Sequence, residues 1–212
     1  DKNGNIRKIV SDTDTMVRTT NVVSQLYSGD VIDFTEKPGD FSSAQLCAGP
    51  EGKMTSSQCP ADKLQKKLAA VASWETPEGT VYDFGVNHSG GLYFVAEAEA
   101  ETKLVISYAE VLKEDGTLNF ETAAWHGKHN ETREKKDIYQ QNTYRLQPGI
   151  NEITPKFSWF CYRYVLIPRC STVHISSLSS FFIHMDMESD GAFECEEPLF
   201  NRINEAFRQT LL

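Results

Sequence analysis

Apolar and polar side chains alternate along several short stretches of the chain. From residue 92 to residue 99, Leu, Phe and two Ala side chains occupy every second position, and Leu104–Tyr108 repeats the alternation. A period of two is typical of strands that bury one face. Phe157–Ile167 is rich in aromatic and β-branched residues, and Val173–Met185 indicates a further strand. Because turn-forming residues separate these short strands, the pattern predicts a mainly β protein, an antiparallel β-sandwich.

Glycine-rich sequence interrupts the apolar pattern between Val81 and Gly91. Gly85, Gly90 and Gly91 allow positive φ angles or a close approach of two backbones. The segment therefore predicts a tight junction in which one strand ends, a turn follows and the next strand begins.

Other segments carry weaker signals. Residues 1–60 are rich in loop-forming residues and contain only short strand candidates. The segment Ala61–Val71 contains helix formers, although its apolar positions suit an extended segment equally well. Thr122–Lys136 is polar and predicts a long loop that contains Trp125.

The last segment changes period and predicts a helix. Pro198 suits the first helical position. The apolar residues that follow are spaced to form one stripe along an amphipathic helix. They are Leu199, Phe200, Ile203, Ala206, Phe207 and Leu211, with Thr210 on the same face. Such a stripe must be covered, either by the sandwich or by a domain that follows.

Composition and charge limit the classes of partner that the chain is expected to bind. The formal net charge is −9 and no concentrated basic face is evident, which argues against a nucleic-acid partner. There is no apolar run of transmembrane length and no signal-peptide pattern, so no membrane partner is expected. The five cysteines form no CxxC pair. We expect Cys161 to be a buried free thiol. Whether Cys47 and Cys59 form a disulfide bridge stays open.

Several short segments, in this order and over nearly the whole chain, resemble the bacterial α-L-rhamnosidases, which are large multidomain glycoside hydrolases. Arg163-Tyr164-Val165 matches that family's pattern, whereas Cys161-Tyr162 replaces its Gly-Phe. The segments that carry the resemblance are Tyr82–Gly90, Ser107–Glu110 with Glu114–Gly116, Phe157–Val165, Gly191–Cys195, Leu199–Ile203 and, more weakly, Leu26–Asp33.

The resemblance implies a domain organisation and a role. Residues 1–60 would end a preceding accessory β-domain, residues 61–190 would form a β-sandwich of concanavalin-like or jelly-roll type, and residues 191–212 would lead into a catalytic (α/α)₆ barrel. The chain begins at Asp1 and ends within a helical pattern, so we expect a piece of a longer protein. The resemblance implies that the barrel is its partner and carries the catalysis. The parent enzyme would hydrolyse terminal α-L-rhamnosides with inversion. A periplasmic or secreted location is favoured for it, and a cytoplasmic one stays open.

Three residues are candidates for carbohydrate binding. Asp83 and Asn87 lie in the glycine-rich junction, where they are predicted either to contact a sugar or a neighbouring domain, or to bond turn amides. The bonding of turn amides is the favoured interpretation. Trp125 lies in the predicted polar loop beside His126 and His129, and its ring would suit the apolar face of a sugar. His126 and His129 are more typical of surface histidines than of a metal pair, because no third ligand is apparent.

One spacing suggests calcium. Carboxylates and a glycine occupy the ligand positions of a loop similar to that of an EF-hand. These residues are Asp186, Glu188, Asp190, Gly191 and Glu197. Against this hypothesis, the preceding residues 181–185 have the pattern of a strand, whereas an EF-hand loop follows a helix. No other cofactor is indicated.

Three alternatives to the accessory-domain interpretation remain open at this point. The sandwich could itself bind rhamnose-containing carbohydrate, it could be a complete small hydrolase, or it could be an interaction domain unrelated to sugars. The hydrolase requires two carboxyl groups about 6.5–9.5 Å apart around a sugar pocket. The acidic residues of this chain are scattered, so the hydrolase is disfavoured.

Overall fold

The computed structural model describes residues 4, 6, 10–25, 29–49, 51–53, 55–128, 135–154, 156–187 and 191–211. Most of the regular structure is strand, and a short 3₁₀-helix spans Phe120–Thr122. One α-helix, α1, spans Pro198–Leu211. The strands are β1 (Met16–Val17), β2 (Val22–Gln25), β3 (Gly29–Asp33), β4 (Ser42–Ser43), β5 (Asp62–Leu68), β6 (Ala72–Glu75), β7 (Gly79–Ala98), β8 (Thr102–Ala109), β9 (Val111–Leu112), β10 (Leu118–Asn119), β11 (Trp125–Lys128), β12 (Lys135–Ile138), β13 (Gln141–Leu146), β14 (Gly149–Ile153), β15 (Phe160–Pro168) and β16 (Val173–Met185).

A ten-stranded sheet forms the body of the molecule. Its order is β2-β3-β13-β8-β15-β7-β16-β5, and β6 and β14 also pair with β7. The β3–β13 pairing is parallel, and the other pairings in this sheet are antiparallel. The sheet curls around a shared core, so the predicted mainly β sandwich with a C-terminal helix is confirmed.

The core is built from the inward positions of the alternating strands. Phe94, Ala96 and Ile106 have no measurable exposure, as the alternation in the sequence predicts. The main cluster also contains Tyr108 and Tyr162, whose rings contact each other at 4.8 Å between centroids. A smaller cluster lies around Val81, Ala109, Leu118 and Leu166.

The turn predicted between Val81 and Gly91 is wrong, because β7 continues through this segment as one long strand. Its pairing with β15 is irregular: His88 lies opposite Tyr162 and Asp83 lies opposite Tyr164, so residues 84–87 oppose one residue, Arg163. This is a β-bulge, and Gly85 within it has a φ of +81°. The bulge marks the point where β7 leaves β6 and joins β14 and β16.

Two other segments differ from expectation. The predicted polar loop around Trp125 is a hairpin, in which β11 and β12 pair from Trp125–Ile138 to Lys128–Lys135. All five cysteines are free thiols, so the Cys47–Cys59 bridge is not formed, and Cys161 is exposed rather than buried.

The division at residue 60 remains a prediction. Strands β2 and β3, which lie before it, are hydrogen-bonded to each other, and β3 pairs with β13 of the sandwich. Helix α1 has no buried residue. No helix in the described part of the chain is both long enough and apolar enough to cross a membrane.

Candidate functional site

Asp83, the first of the candidate carbohydrate-binding residues, lies directly before the bulge in β7. The Asp83 carboxylate accepts two hydrogen bonds from Arg163, from Nε at 2.8 Å and from Nη2 at 2.7 Å. It also accepts the backbone N–H of Gly85 at 2.6 Å. Hydrogen bonding from Arg163 lowers the pKa of Asp83, and burial partly opposes this effect. Asp83 is therefore ionised and engaged in holding the bulge.

Asn87 has a more open position at the other end of the bulge. Its side-chain amide donates to Glu110 Oε1 at 3.2 Å, and both groups are at the surface. Asn87 also lines an open cavity of about 430 Å³ between the sandwich and α1. The cavity is further lined by Val86, His88, Ser89, Cys161, Phe182, Ala206, Gln209 and Thr210.

A buried polar chain beneath this cavity was not anticipated from the sequence. His88 Nδ1 lies 3.1 Å from the Val86 carbonyl, which can only accept, so Nδ1 carries the proton. His88 Nε2 then accepts from the Ser180 hydroxyl at 2.6 Å, and Tyr162 donates to Ser180 at 2.5 Å. Burial lowers the pKa of His88, which keeps its ring neutral. Ser180 is fully buried, so this chain of hydrogen bonds stabilises the junction of β7, β15 and β16.

The second candidate location is the β11–β12 hairpin. The Trp125 ring lies flat over Gly127: a Cβ placed on that glycine would be 2.1 Å from Trp125 Cη2. Trp125 is 49% exposed. One face of the ring is therefore covered by the backbone, which is a suitable geometry for an aromatic platform.

His126 lies next to Trp125 and bridges two carboxylates. Its Nδ1 is 2.8 Å from Asp137 Oδ1 and its Nε2 is 3.1 Å from Glu121 Oε2. Hydrogen bonding to Asp137, and secondarily to Glu121, raises the pKa of His126. Neighbouring strand residues point to opposite sides, so this cluster and the Trp125 ring lie on different faces of the hairpin.

We expect a titration of His126 to show this raised pKa directly. The bridge from His126 to the two carboxylates stabilises the fold fully below the pKa of His126 in the unfolded state. This contribution is lost as pH rises through the pKa of His126 in the folded state. Following the His126 ring signals by NMR against pH should give a midpoint above the ordinary value for a histidine side chain. Glu121→Gln or Asp137→Asn should lower the midpoint, with the larger decrease for Asp137→Asn. An unchanged midpoint in both variants would contradict the bridge.

The calcium hypothesis falls partly outside the described residues, because Glu188 and Asp190 are not among them. Asp186 accepts hydrogen bonds from Lys63 and from Gln65 Nε2, the latter at 3.3 Å. Glu197 accepts the N–H of Leu199 at 3.2 Å, at the start of α1. Within the described ranges, no three His, Cys, Asp or Glu side chains are grouped to hold a metal ion. The calcium site stays a prediction.

The candidate residues thus occupy separate places: Asp83 and Asn87 lie at the two ends of the bulge, and Trp125 lies on the hairpin. Asp83 is bonded within the fold, whereas Asn87 and Trp125 are accessible. Ligand binding by these three residues remains a prediction. Sequence spacing gave no signal for the Arg163 partner of Asp83, which is 80 positions away.

The curled antiparallel sheet and its long bent strand define a β-sandwich domain of the concanavalin-like class. The family described as "Bacterial alpha-L-rhamnosidase concanavalin-like domain" matches residues 75–184, and the chain belongs to this family. The predicted resemblance is therefore confirmed.

Larger proteins contain a similar domain. An alpha-L-rhamnosidase of Formosa agariphila is 26% identical over 204 residues, which cover 90% of this chain and 21% of the relative. The structure of alpha-L-rhamnosidase from Dictyoglumus thermophilum is 25% identical with a TM-score of 0.69, covering 90% of this chain and 22% of that one. The Streptomyces avermitilis alpha-L-rhamnosidase complexed with L-rhamnose shares the fold, with 22% identity, a TM-score of 0.70, and coverage of 90% and 19%. The chain spans about a fifth of the length of these proteins.

Proposed function

We propose that this chain is a non-catalytic accessory domain of an α-L-rhamnosidase-like glycoside hydrolase, and that it packs on and supports a catalytic (α/α)₆ barrel. The parent enzyme hydrolyses terminal α-L-rhamnosides with inversion. Two facts support this proposal: the family assignment, and the chain's correspondence to about a fifth of larger proteins named as alpha-L-rhamnosidases. The two carboxyl groups that inversion needs are then supplied from outside this chain.

The observation that carries the packing role is the orientation of α1. Two polar side chains of the helix bond the segment before it: the Asn201 side chain bonds the backbone N–H and C=O of Cys195, at 2.9 and 2.7 Å. Arg208 Nη1 donates to the Gly191 carbonyl at 3.0 Å. Ala206 and Thr210 of the apolar stripe line the cavity beside the sandwich. The large members of the stripe stay uncovered: more than half of the surface of each is exposed, namely Leu199, Phe200, Ile203, Phe207 and Leu211.

This arrangement is the reverse of that of a helix that packs on its own domain. A surface helix normally turns its apolar stripe inward and its polar face to water. Contiguous exposed apolar surface of this kind marks an interaction site. We therefore assign the stripe to the interface with the barrel of the parent chain.

The test uses the parent enzyme and the 212-residue chain side by side. The parent should hydrolyse a chromogenic α-L-rhamnoside and this chain alone should not. Ile203→Glu with Phe207→Glu in the parent should destabilise the packed state by about 3–5 kcal/mol, because two charges would be buried without partners. The expected readout is a large loss of activity and a lower Tm of the parent, with the Tm of the 212-residue chain nearly unchanged.

Arg202→Glu is the matched control, because it adds the same charge to the same helix outside the apolar stripe. An equal loss of activity in the control would mean that added negative charge anywhere on the helix causes the loss, and that the apolar stripe is not an interface. Turnover by the 212-residue chain alone would contradict the non-catalytic role.

Direct carbohydrate binding is the second candidate function, and the flat, exposed ring of Trp125 on Gly127 favours it. In that case the chain binds rhamnose-containing glycans itself, with Asn87 or Asp83 as a further candidate contact. Calorimetric titration with L-rhamnose, with and without calcium, separates the candidates. Saturable heat that Trp125→Ala abolishes would support the binding module, and a calcium requirement would point to the Asp186 segment.

A further inference from the structure

Two aromatic side chains stand exposed immediately before β15. Phe157 is 64% exposed and Trp159 is 47% exposed, whereas Ser158 between them is buried. Exposure that alternates in this way places the two rings on the same outward side of the segment. Together they form an aromatic surface, defined here as Phe157 and Trp159.

A buried carboxylate fixes this surface in position. Asp30, which is 2% exposed, accepts the backbone N–H groups of Phe157 and Ser158 through Oδ2, at 3.0 and 3.1 Å. Its Oδ1 accepts the Ser158 hydroxyl at 2.8 Å. Asn142 Oδ1 in turn accepts the Asp30 N–H at 2.8 Å, and Asn142 Nδ2 donates to the Tyr108 hydroxyl in the core. The segment is thus tied to the interior through three successive polar contacts.

This anchoring is unusual for a surface segment. A buried carboxylate costs desolvation free energy, and here its hydrogen bonds hold a stretch whose outward side chains are large and apolar. Preorganised aromatic residues are typical of the contact centres of protein interfaces, since they bind without a further loss of side-chain entropy.

The composition of the segment indicates which partner fits. The side chains turned outward are aromatic, and the Ser158 hydroxyl is turned inward to Asp30. A carbohydrate site combines an apolar platform with polar side chains that converge on the ligand. Phe157 and Trp159 supply the platform, whereas the hydroxyl between them is engaged by Asp30. Related proteins are about five times as long as this chain, so a large body of further polypeptide is available to cover it.

We propose that Phe157 and Trp159 are a second docking surface, distinct from α1, that packs against the remaining polypeptide of the parent enzyme. Asp30 acts as a positioning residue that holds the two rings ready for contact. This inference rests on the proposed role as an accessory domain. It adds that the domain is held at two places, by a helix stripe and by a fixed aromatic pair.

The test introduces Phe157→Ala and Trp159→Ala together, as one double variant, into the parent enzyme and into the 212-residue chain. The Tm of the parent should decrease by about 4 °C or more, and that of the short chain should decrease by less than half as much, because a large part of each ring already faces solvent there. Phe41→Ala is the control, since Phe41 is also an exposed aromatic residue, 59% exposed, in another segment. It should change the two Tm values equally, by the small amount that the contact of its ring with Arg18 contributes.

Three other outcomes overturn the inference. An unchanged parent Tm means that the surface is not covered, and an equal decrease in both chains means that the rings pack within the domain. Loss of L-rhamnose binding by the short chain on Trp159→Ala would reassign the surface to sugar. If Ile203→Glu with Phe207→Glu destabilises the parent and the aromatic variant does not, only this inference fails. A parent without rhamnosidase activity contradicts the proposed function but leaves the Tm comparison valid.

Discussion

Replacing Asp30 with alanine is expected to lower the free energy of unfolding of this chain by about 3–4 kcal/mol, a large share of the stability of a typical domain. The substitution removes the acceptor for two backbone N–H groups, those of Phe157 and Ser158, at a carboxylate that is only 2% exposed. Each buried donor left without a partner costs about 1–3 kcal/mol. The lost contact joins residues that are 127 and 128 positions apart, so no local rearrangement replaces it.

Asp30→Asn is the matched control. The amide oxygen can accept both N–H groups, and the amide nitrogen can donate to the Ser158 hydroxyl, so most of the contacts survive. We expect a loss below about 1.5 kcal/mol for this variant in urea denaturation followed by circular dichroism. Hydrogen exchange at the amides of residues 157 and 158 should accelerate strongly in Asp30→Ala and weakly in Asp30→Asn. Equal stability of the two variants would show that the hydrogen bonds do not matter.

The strands and the helix were predictable because their patterns are local. Alternation of apolar residues in β7 and β8 and the aromatic run of β15 identify buried strands without knowledge of their partners. The stripe of α1 was visible at helical spacing, and the structure places that helix where predicted. Its outward orientation was not predictable, because the sequence does not state which surface covers the stripe.

The errors have specific physical causes. Gly85, Gly90 and Gly91 are compatible with a turn and equally with a bulge followed by a close strand contact. At Gly90 an added Cβ would lie 2.2 Å from the Phe181 carbonyl oxygen, so this glycine is needed for the approach of β16. The hairpin around Trp125 was missed because its residues are polar, and a two-stranded ribbon outside the core need not alternate.

The candidate site was predictable only in part. Local chemistry indicated that Asp83 bonds a nearby amide, and the contact with the Gly85 N–H agrees with that interpretation. The partners that decide the energetics, Arg163 for Asp83 and the 157–158 backbone for Asp30, are distant in the sequence. Such pairs follow from the topology of the sheet, which single-sequence patterns do not determine.

Removal of Arg163 is expected to be more destabilising than removal of Asp83, although both break the same ion pair. The Asp83 side chain is 12% exposed, whereas that of Arg163 is 38% exposed. Without Arg163, a carboxylate stays buried with only the Gly85 N–H as partner. Without Asp83, the guanidinium can turn to water. We expect a loss of about 3 kcal/mol for Arg163→Met and about 2 kcal/mol for Asp83→Asn, after allowance for solvent screening of the exposed partner.

The pH dependence gives the sharper test. The folded-state pKa of Asp83 lies below its unfolded value, so the ion pair stabilises the fold above the unfolded pKa and is lost as pH falls through the folded pKa. In Arg163→Met, burial becomes the largest influence and raises the pKa of Asp83 above its ordinary value. The stability of this variant relative to wild type should then increase as pH falls from 7 to 4. Arg163→Lys keeps the charge but not the two-point contact, so the stability of this variant should lie between that of Arg163→Met and that of wild type. A constant stability difference between Arg163→Met and wild type across this pH range would exclude Asp83 as the titrating partner and assign the loss to packing of the arginine stem.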